Sequence, residues 1–253
     1  MSQNIPKTEF LYTKSKPIDH LSIFDGITLM IEEQKRAALD VKKASKSIEF
    51  AINEIYDHLL LNQKGRLIYV GAGTSGRIGV QDGVELFPTF NWPKNRVKYI
   101  LAGGKNAIFE AVENAEDDKT QAKLTIEKLS VNKKDVVIGL AASGNTPFTC
   151  KVMEIAKNQG ALTIAISNNP KGKILNFGKV KIVLDTKEEV ICGSTRLKAG
   201  TAQKICLNII SSMVMIKFGR IKNGLMIDMV PTNKKLRHRK SIIDEQSWRS
   251  NHA

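Results

Sequence analysis

The sequence predicts an α/β fold: a doubly wound parallel five-stranded sheet flanked by helices, with an N-terminal helical pair. Three observations carry that expectation. From Gly65 onward, short apolar, β-branched runs alternate with stretches of helical period. Two of those runs pass directly into loops of Gly, Ala, Ser and Thr, the texture of strand ends that face a ligand. The 64 residues before Gly65 show helical spacing and no strand pattern.

Taken in order, residues 1–20 are polar and are expected to form a mobile arm or an extended segment. Ser22 is a plausible helix cap. After it Ile23, Ile27, Met30, Ile31, Ala37, Ala38 and Val41 recur at helical spacing. A second helix is expected from about Ser47, with Ile48, Ala51, Ile52, Ile55, Leu59 and Leu60 on one face. The pair reads as a helical cover or a dimerisation element. Strands are predicted at 66–70, 97–101, 135–140, 162–167 and 180–184, and helices at 76–86, 118–129, 147–158 and 200–217.

The stretch from Gly65 to Phe90 anchors the rest. Leu67 to Val70 has the pattern of a strand buried on both faces. The loop Gly71-Ala72-Gly73-Thr74-Ser75-Gly76 follows, and Arg77 to Val80 begins a helix. Backbone N–H groups at such a helix start, with the macrodipole behind them, make an anion site, and Thr74 and Ser75 add hydroxyl donors. The loop also matches G-x-G-x-x-G. The dinucleotide fingerprint requires a carboxylate at the end of the next strand, and here that strand runs into Ala102-Gly103-Gly104. A phosphate group is the favoured ligand; a tight glycine turn without one is the alternative.

Val136 to Leu140 leads into Ala141-Ala142-Ser143-Gly144-Asn145-Thr146-Pro147, repeating that logic, with Pro147 suited to a first helical turn. Capping alone is the competing reading of Ser143. A third loop, Gly193-Ser194-Thr195-Arg196-Leu197-Lys198, precedes an apolar helix and reads as a ligand wall with two cations. Glu188 and Glu189 lie just upstream and are available to pair with them. Among the carboxylates, Glu85 sits between apolar neighbours and reads either as an exposed helical residue or as a partly buried acid with a raised pKa. Glu116 lies in Glu113-Asn114-Ala115-Glu116-Asp117-Asp118. A helix N-terminus favours Asp117 and Asp118 on its own account.

Composition narrows the function classes. Cations outnumber anions 39 to 25, a net charge of +14, and 30 of the 39 are lysines. They are scattered without an aromatic-interleaved basic stripe, so a lysine-rich surface serving anionic substrates is preferred to nucleic acid. Cys150, Cys192 and Cys206 show no C-x-x-C spacing, and the four histidines form no ligand-spaced pair; no metal or cofactor is expected. No secretory signal is seen, and no apolar run approaches the roughly 20 residues of a membrane span, so a cytoplasmic protein is expected.

The loops Gly71–Arg77, Glu85–Phe90, Ala111–Asp118, Ala142–Pro147 and Gly193–Lys204 resemble, in order, those of N-acetylmuramic acid 6-phosphate etherases, members of the sugar-isomerase (SIS) domain superfamily. The similarity spans roughly residues 20–240. It implies a five-stranded SIS sheet and cleavage of the D-lactyl ether of N-acetylmuramic acid 6-phosphate in bacterial cell-wall recycling. Glu85 and Glu116 stand at the family's catalytic glutamates. Gly73, Thr74, Ser75, Ser143, Asn145, Thr146, Ser194, Thr195 and Lys198 are the expected substrate and phosphate contacts. The implied organisation is an arm and helical segment over 1–56, an SIS domain over 57–220 and a tail over 221–253, shorter than usual for the family. Leu86 and Phe87 replace the family's usual Cys-Pro after the first glutamate.

Such chemistry needs two carboxyl groups. One takes the C2 proton of the open-chain sugar and one protonates the departing lactate, each contributing roughly 10²–10⁴-fold. Glu85, among apolar neighbours, is expected to be the acid, and Glu116 the base. A continuous helix from Ser75 carries Glu85 roughly 15 Å from the phosphate loop, so either the helix breaks near Gly79 or Gly83 or a second subunit completes the site. A homodimer with a shared active site is favoured. The expected partner is a small-molecule sugar phosphate, with neither nucleic acid nor membrane. A catalytically silent amino-sugar-phosphate sensor and a phosphosugar isomerase are the alternative functions.

Overall fold

The computed structural model describes residues 5–231 and 234–252, the last seven by backbone alone. Five parallel strands, β1 (Leu67–Gly71), β2 (Val97–Leu101), β3 (Val136–Ala141), β4 (Leu162–Ser167) and β5 (Val180–Val183), lie in the order β2-β1-β3-β4-β5. Residues of β1 are buried throughout, as are those of β3 and β4, because helices cover both faces. Alternate side chains therefore enter two cores. Tyr69, Ile138, Ile164 and Ile182 point toward α1 (Ile23–Lys43), α2 (Ser45–Leu61), α3 (Gly73–Phe90) and α6 (Lys198–Lys217). Ile68, Val70, Val137 and Ala165 point toward α4 (Lys119–Leu129) and α5 (Pro147–Asn158).

From β1 the chain crosses outward to β2 and then back over to β3. That reversal is the topological switch point, where ligands of doubly wound sheets bind beyond the carboxyl ends of the strands. Ala72, Ala102 and Ala142 are the residues that follow β1, β2 and β3 there.

The local signals explain most boundaries. Ser22 caps α1, its Oγ accepting from Asp25 N–H at 3.1 Å. Asp118 caps α4 through Gln121 N–H at 2.8 Å, and Pro147 occupies the first turn of α5. Helix α3 is longer than the predicted 76–86. It runs unbroken through Gly79 and Gly83 and ends where Asn91 turns left-handed at φ 52°. The expected boundary between residues 56 and 57 falls inside α2, whose Ile48, Ile52, Ile55 and Leu59 share one core with the sheet.

Two expectations need correction. The arm is docked rather than loose: over its described part, from residue 5, Thr8 is 1% exposed, and short 3-10 turns form at Lys7–Glu9 and Ile18–His20. The first four residues lie outside the described ones. Helix α6 does reach membrane-spanning length, at 20 residues with a mean hydropathy of 1.2 in its most apolar window, although 56% of that window is buried inside the fold. The expected tail, in its described part, contains α7 (Lys234–His252).

Candidate functional site

The turn from β1 into α3 is built on close backbone approach. Gly73 adopts φ +50°, and a side chain at Gly76 would run into Leu101 Cδ1. No side chain caps the first turn of α3, and none caps that of α5, whose N-cap is Thr146. The leading N–H groups of α3 open onto a cavity of about 430 Å³ at the switch point, which Thr146, the N-cap of α5, also borders. At α5 itself Pro147 has no N–H and Phe148 N–H is already bonded. Gly73, Thr74 and Ser75 line it from α3, and Ser143 and Thr146 from the loop after β3. The Ser143 oxygen accepts from Asn145 N–H at 3.1 Å, which leaves its own hydroxyl proton to donate. An uncapped helix start ringed by hydroxyls suits a phosphate.

The segment after β2 forms another wall and carries Glu116. Its carboxylate lies over Gly73, where a Cβ would come within 2.9 Å of Oε1. The Glu116 carbonyl accepts from Phe148 N–H at 2.9 Å, which ties the acidic turn to the start of α5. Arg77 holds the same segment from α3: its Nε donates to the Ala107 carbonyl at 2.9 Å and a terminal nitrogen to the Glu110 carbonyl at 3.0 Å. Gly193 and Thr195 close the side opposite, together with Glu9 from the arm.

Seven of the expected contacts thus share one cavity: Gly73, Thr74, Ser75, Glu116, Ser143, Thr146 and Thr195. Four do not line it. Asn145 turns toward the neighbouring loop, its Oδ1 accepting from Lys173 N–H at 3.1 Å. Ser194 lies within a turn, its N–H donating to the Ile191 carbonyl at 2.9 Å.

Lys198 is a correction. It is 2% exposed, and its ammonium donates to Glu33 Oε2 at 2.5 Å and to the Glu188 carbonyl at 2.8 Å. It is a buried ion-pair partner, not a ligand cation. Burial would raise the Glu33 carboxyl, but Lys198, Tyr12 and Arg36 outweigh that and hold it below its ordinary value. Beside this pair, the Glu189 carboxylate accepts from Lys198 N–H at 3.1 Å and Ala199 N–H at 2.8 Å, occupying the start of α6.

Glu85 is the other correction. The apolar setting expected of it is absent from the single chain, because the helical period turns Leu86 into the core and leaves Val84 and Glu85 exposed. Glu85 lies a dozen residues along α3 from Gly73 and does not line the cavity. Arg77 and Glu9 were absent from the expected contacts. Arg77 stands inside a quoted loop, but nothing local marks Glu9.

The comparisons with known proteins agree with this geometry. Residues 51–157, from α2 into α5, match the model of the glucokinase regulatory protein N-terminal SIS domain. A phosphoheptose isomerase from Francisella tularensis superposes with a TM-score of 0.59 at 18% identity, over 78% of this chain and all of that one. Fold and switch-point cavity together define an SIS-domain protein.

The N-acetylmuramic acid 6-phosphate etherase of Pasteurella multocida (strain Pm70) is 42% identical over 232 residues, covering 91% of this chain and 76% of that protein. That of Bacillus mycoides (strain KBAB4) is 41% identical over 251 residues, covering 99% and 84%. The chain belongs to the N-acetylmuramic acid 6-phosphate etherase family of enzymes.

Proposed function

We propose that this enzyme cleaves the D-lactyl ether of N-acetylmuramic acid 6-phosphate, giving N-acetylglucosamine 6-phosphate and D-lactate. The observation that carries the reading is Glu116 in one cavity with the uncapped start of α3, its N–H groups, and the hydroxyls of Thr74, Ser75, Ser143 and Thr146. The phosphate rests on those N–H groups and on Ser75 and Ser143, which positions the sugar for reaction. In the open-chain sugar the C1 aldehyde acidifies the C2 proton. Glu116 removes it, and the C3–O bond breaks as an acid protonates the lactyl oxygen. Water then adds across the resulting alkene, restoring a hydroxyl at C3. The overall change is substrate plus water to two products. Such a reaction belongs to amino-sugar catabolism in peptidoglycan recycling, in the cytoplasm.

Glu85 is the proposed acid, supplied by a second copy of the chain. Two features support a homodimer with shared sites. Glu85 adjoins an apolar groove lined by Gly83, Val84, Phe87, Pro88 and Tyr99. Ile23, Phe24, Ile27 and Ile31 also leave one face of α1 exposed and apolar.

The test is D-lactate release from N-acetylmuramic acid 6-phosphate. Wild-type chain should release it, and Glu85→Gln and Glu116→Gln should each lose roughly 10²–10⁴-fold in kcat. Mixing the two inactive variants should restore activity, because a mixed dimer holds one intact site. Absence of lactate release by the wild type, with sugar-phosphate binding retained, would favour the sensor function, to which the placement of Glu85 outside the cavity of a single chain lends its only support.

A further inference from the structure

The arm delivers a glutamate, Glu9, to the cavity that Glu110 and Glu116 also line. Glu9 lines it across from the α3 start, next to Gly193 and Thr195. Its position is imposed by a series of ties. The Thr8 carbonyl accepts from Gly193 N–H at 3.0 Å, and Cys192 Sγ donates to the Glu9 carbonyl at 3.2 Å. Lys7 pairs with Asp185 at 3.5 Å and Lys14 with Glu188 at 2.6 Å. Tyr12 Oη donates to Glu33 at 3.0 Å. These ties hold the backbone of the arm, yet they make no use of the Glu9 carboxylate.

Among the described residues that carboxylate has one donor, the Thr8 hydroxyl at 3.4 Å, and no lysine or arginine of these pairs with it. It packs against Gly193, where φ is +72° and a Cβ would meet Oε2 at 2.9 Å. A side chain at residue 193 would push it away. The fold thus keeps an acceptor-only group open to the cavity. A carboxylate repels phosphate, so its partner is a neutral hydrogen-bond donor on the part of the ligand away from the anion.

We propose that Glu9 is a specificity residue, accepting a hydrogen bond from a hydroxyl or amide N–H of the bound amino-sugar phosphate. The inference rests on the sugar-phosphate reading above.

Titration calorimetry on full-length wild type, Glu9→Ala and Glu9→Gln, with N-acetylglucosamine 6-phosphate and with inorganic phosphate, tests it. Glu9→Ala should bind the sugar phosphate at least tenfold more weakly, the scale of a hydrogen bond to a charged group. Glu9→Gln, which keeps an acceptor, should lose less. Inorganic phosphate should bind all three alike. Equal losses for both ligands would mean that the arm only props up the site, and no loss for either would mean that Glu9 touches nothing; both results overturn the inference while leaving the sugar-phosphate reading standing. A wild-type chain that fails to bind N-acetylglucosamine 6-phosphate would defeat that reading first, and this inference with it. Because Glu9 is exposed and its ties are backbone ones, melting temperatures of the variants should match wild type.

Discussion

Helices α3 and α6 both begin after loops rich in glycine and hydroxyls, and in sequence both look ready to hold an anion. In the fold they differ. The start of α3 is uncapped and faces the cavity, whereas the start of α6 already holds the Glu189 carboxylate, on the N–H groups of Lys198 and Ala199. The positive end of a helix binds whichever anion reaches it first. At α6 that anion is internal, and its burial raises the Glu189 carboxyl even though the two N–H bonds pull the other way. At α3 no side chain among the described residues takes the place, which is why the phosphate of the substrate is proposed to bind there.

The largest effect expected of this difference concerns stability. Lys198→Met takes from Glu33, 3% exposed, its buried cation and leaves it, among the described residues, only the Arg36 cation at 3.0 Å. Removing one partner of a buried pair costs about 3–5 kcal/mol. In a chain of this size the melting temperature should fall on the order of 10 °C. The folded fraction should keep its KM; a raised KM with unchanged stability would return Lys198 to the ligand wall.

Ser75→Ala and Ser143→Ala should do the reverse. Each removes a hydrogen bond to a charged group, worth about 1.5–3 kcal/mol of binding, and each should leave thermal stability near wild type. An unchanged KM in both variants would place the anion elsewhere.

The smallest effect is a pH dependence. Glu33 is held below its ordinary value in the fold, so its contribution is complete above the unfolded value and is lost as pH falls through the folded one. Melting temperature should therefore drop on acidification below pH ~4, and Glu33→Gln should flatten that drop. Glu189, which is raised, acts in the opposite sense. A steeper drop in Glu33→Gln would contradict the assignment.

Much of this was legible in the sequence because it is local. Strands β2 and β4 begin and end where the apolar runs do, and α5 starts at its proline. The loops before α3 and α5 could be read as walls of one cavity because strand, small-residue turn and helix start are contiguous in the chain. Lys198 was misread because its partner, Glu33, lies 165 residues away, and a cation among hydroxyls looks the same with or without it. Glu9 gave no signal for a related reason, since it enters the cavity through contacts distant in sequence, among them those of Thr8 with Gly193 and of Cys192 with Glu9. The apolar neighbours of Glu85 suggested burial, but successive residues of a helix face different directions, and only Leu86 turns inward.

The most direct test of the central claim is to follow backbone amide resonances while N-acetylglucosamine 6-phosphate is added. Binding at the open helix start predicts large shifts at Gly73, Thr74, Ser75 and Gly76, with further shifts at Ser143 and Thr146 and little change at Lys198 and Ala199. Shifts centred on Lys198 and Ala199, with residues 73–76 unmoved, would contradict it.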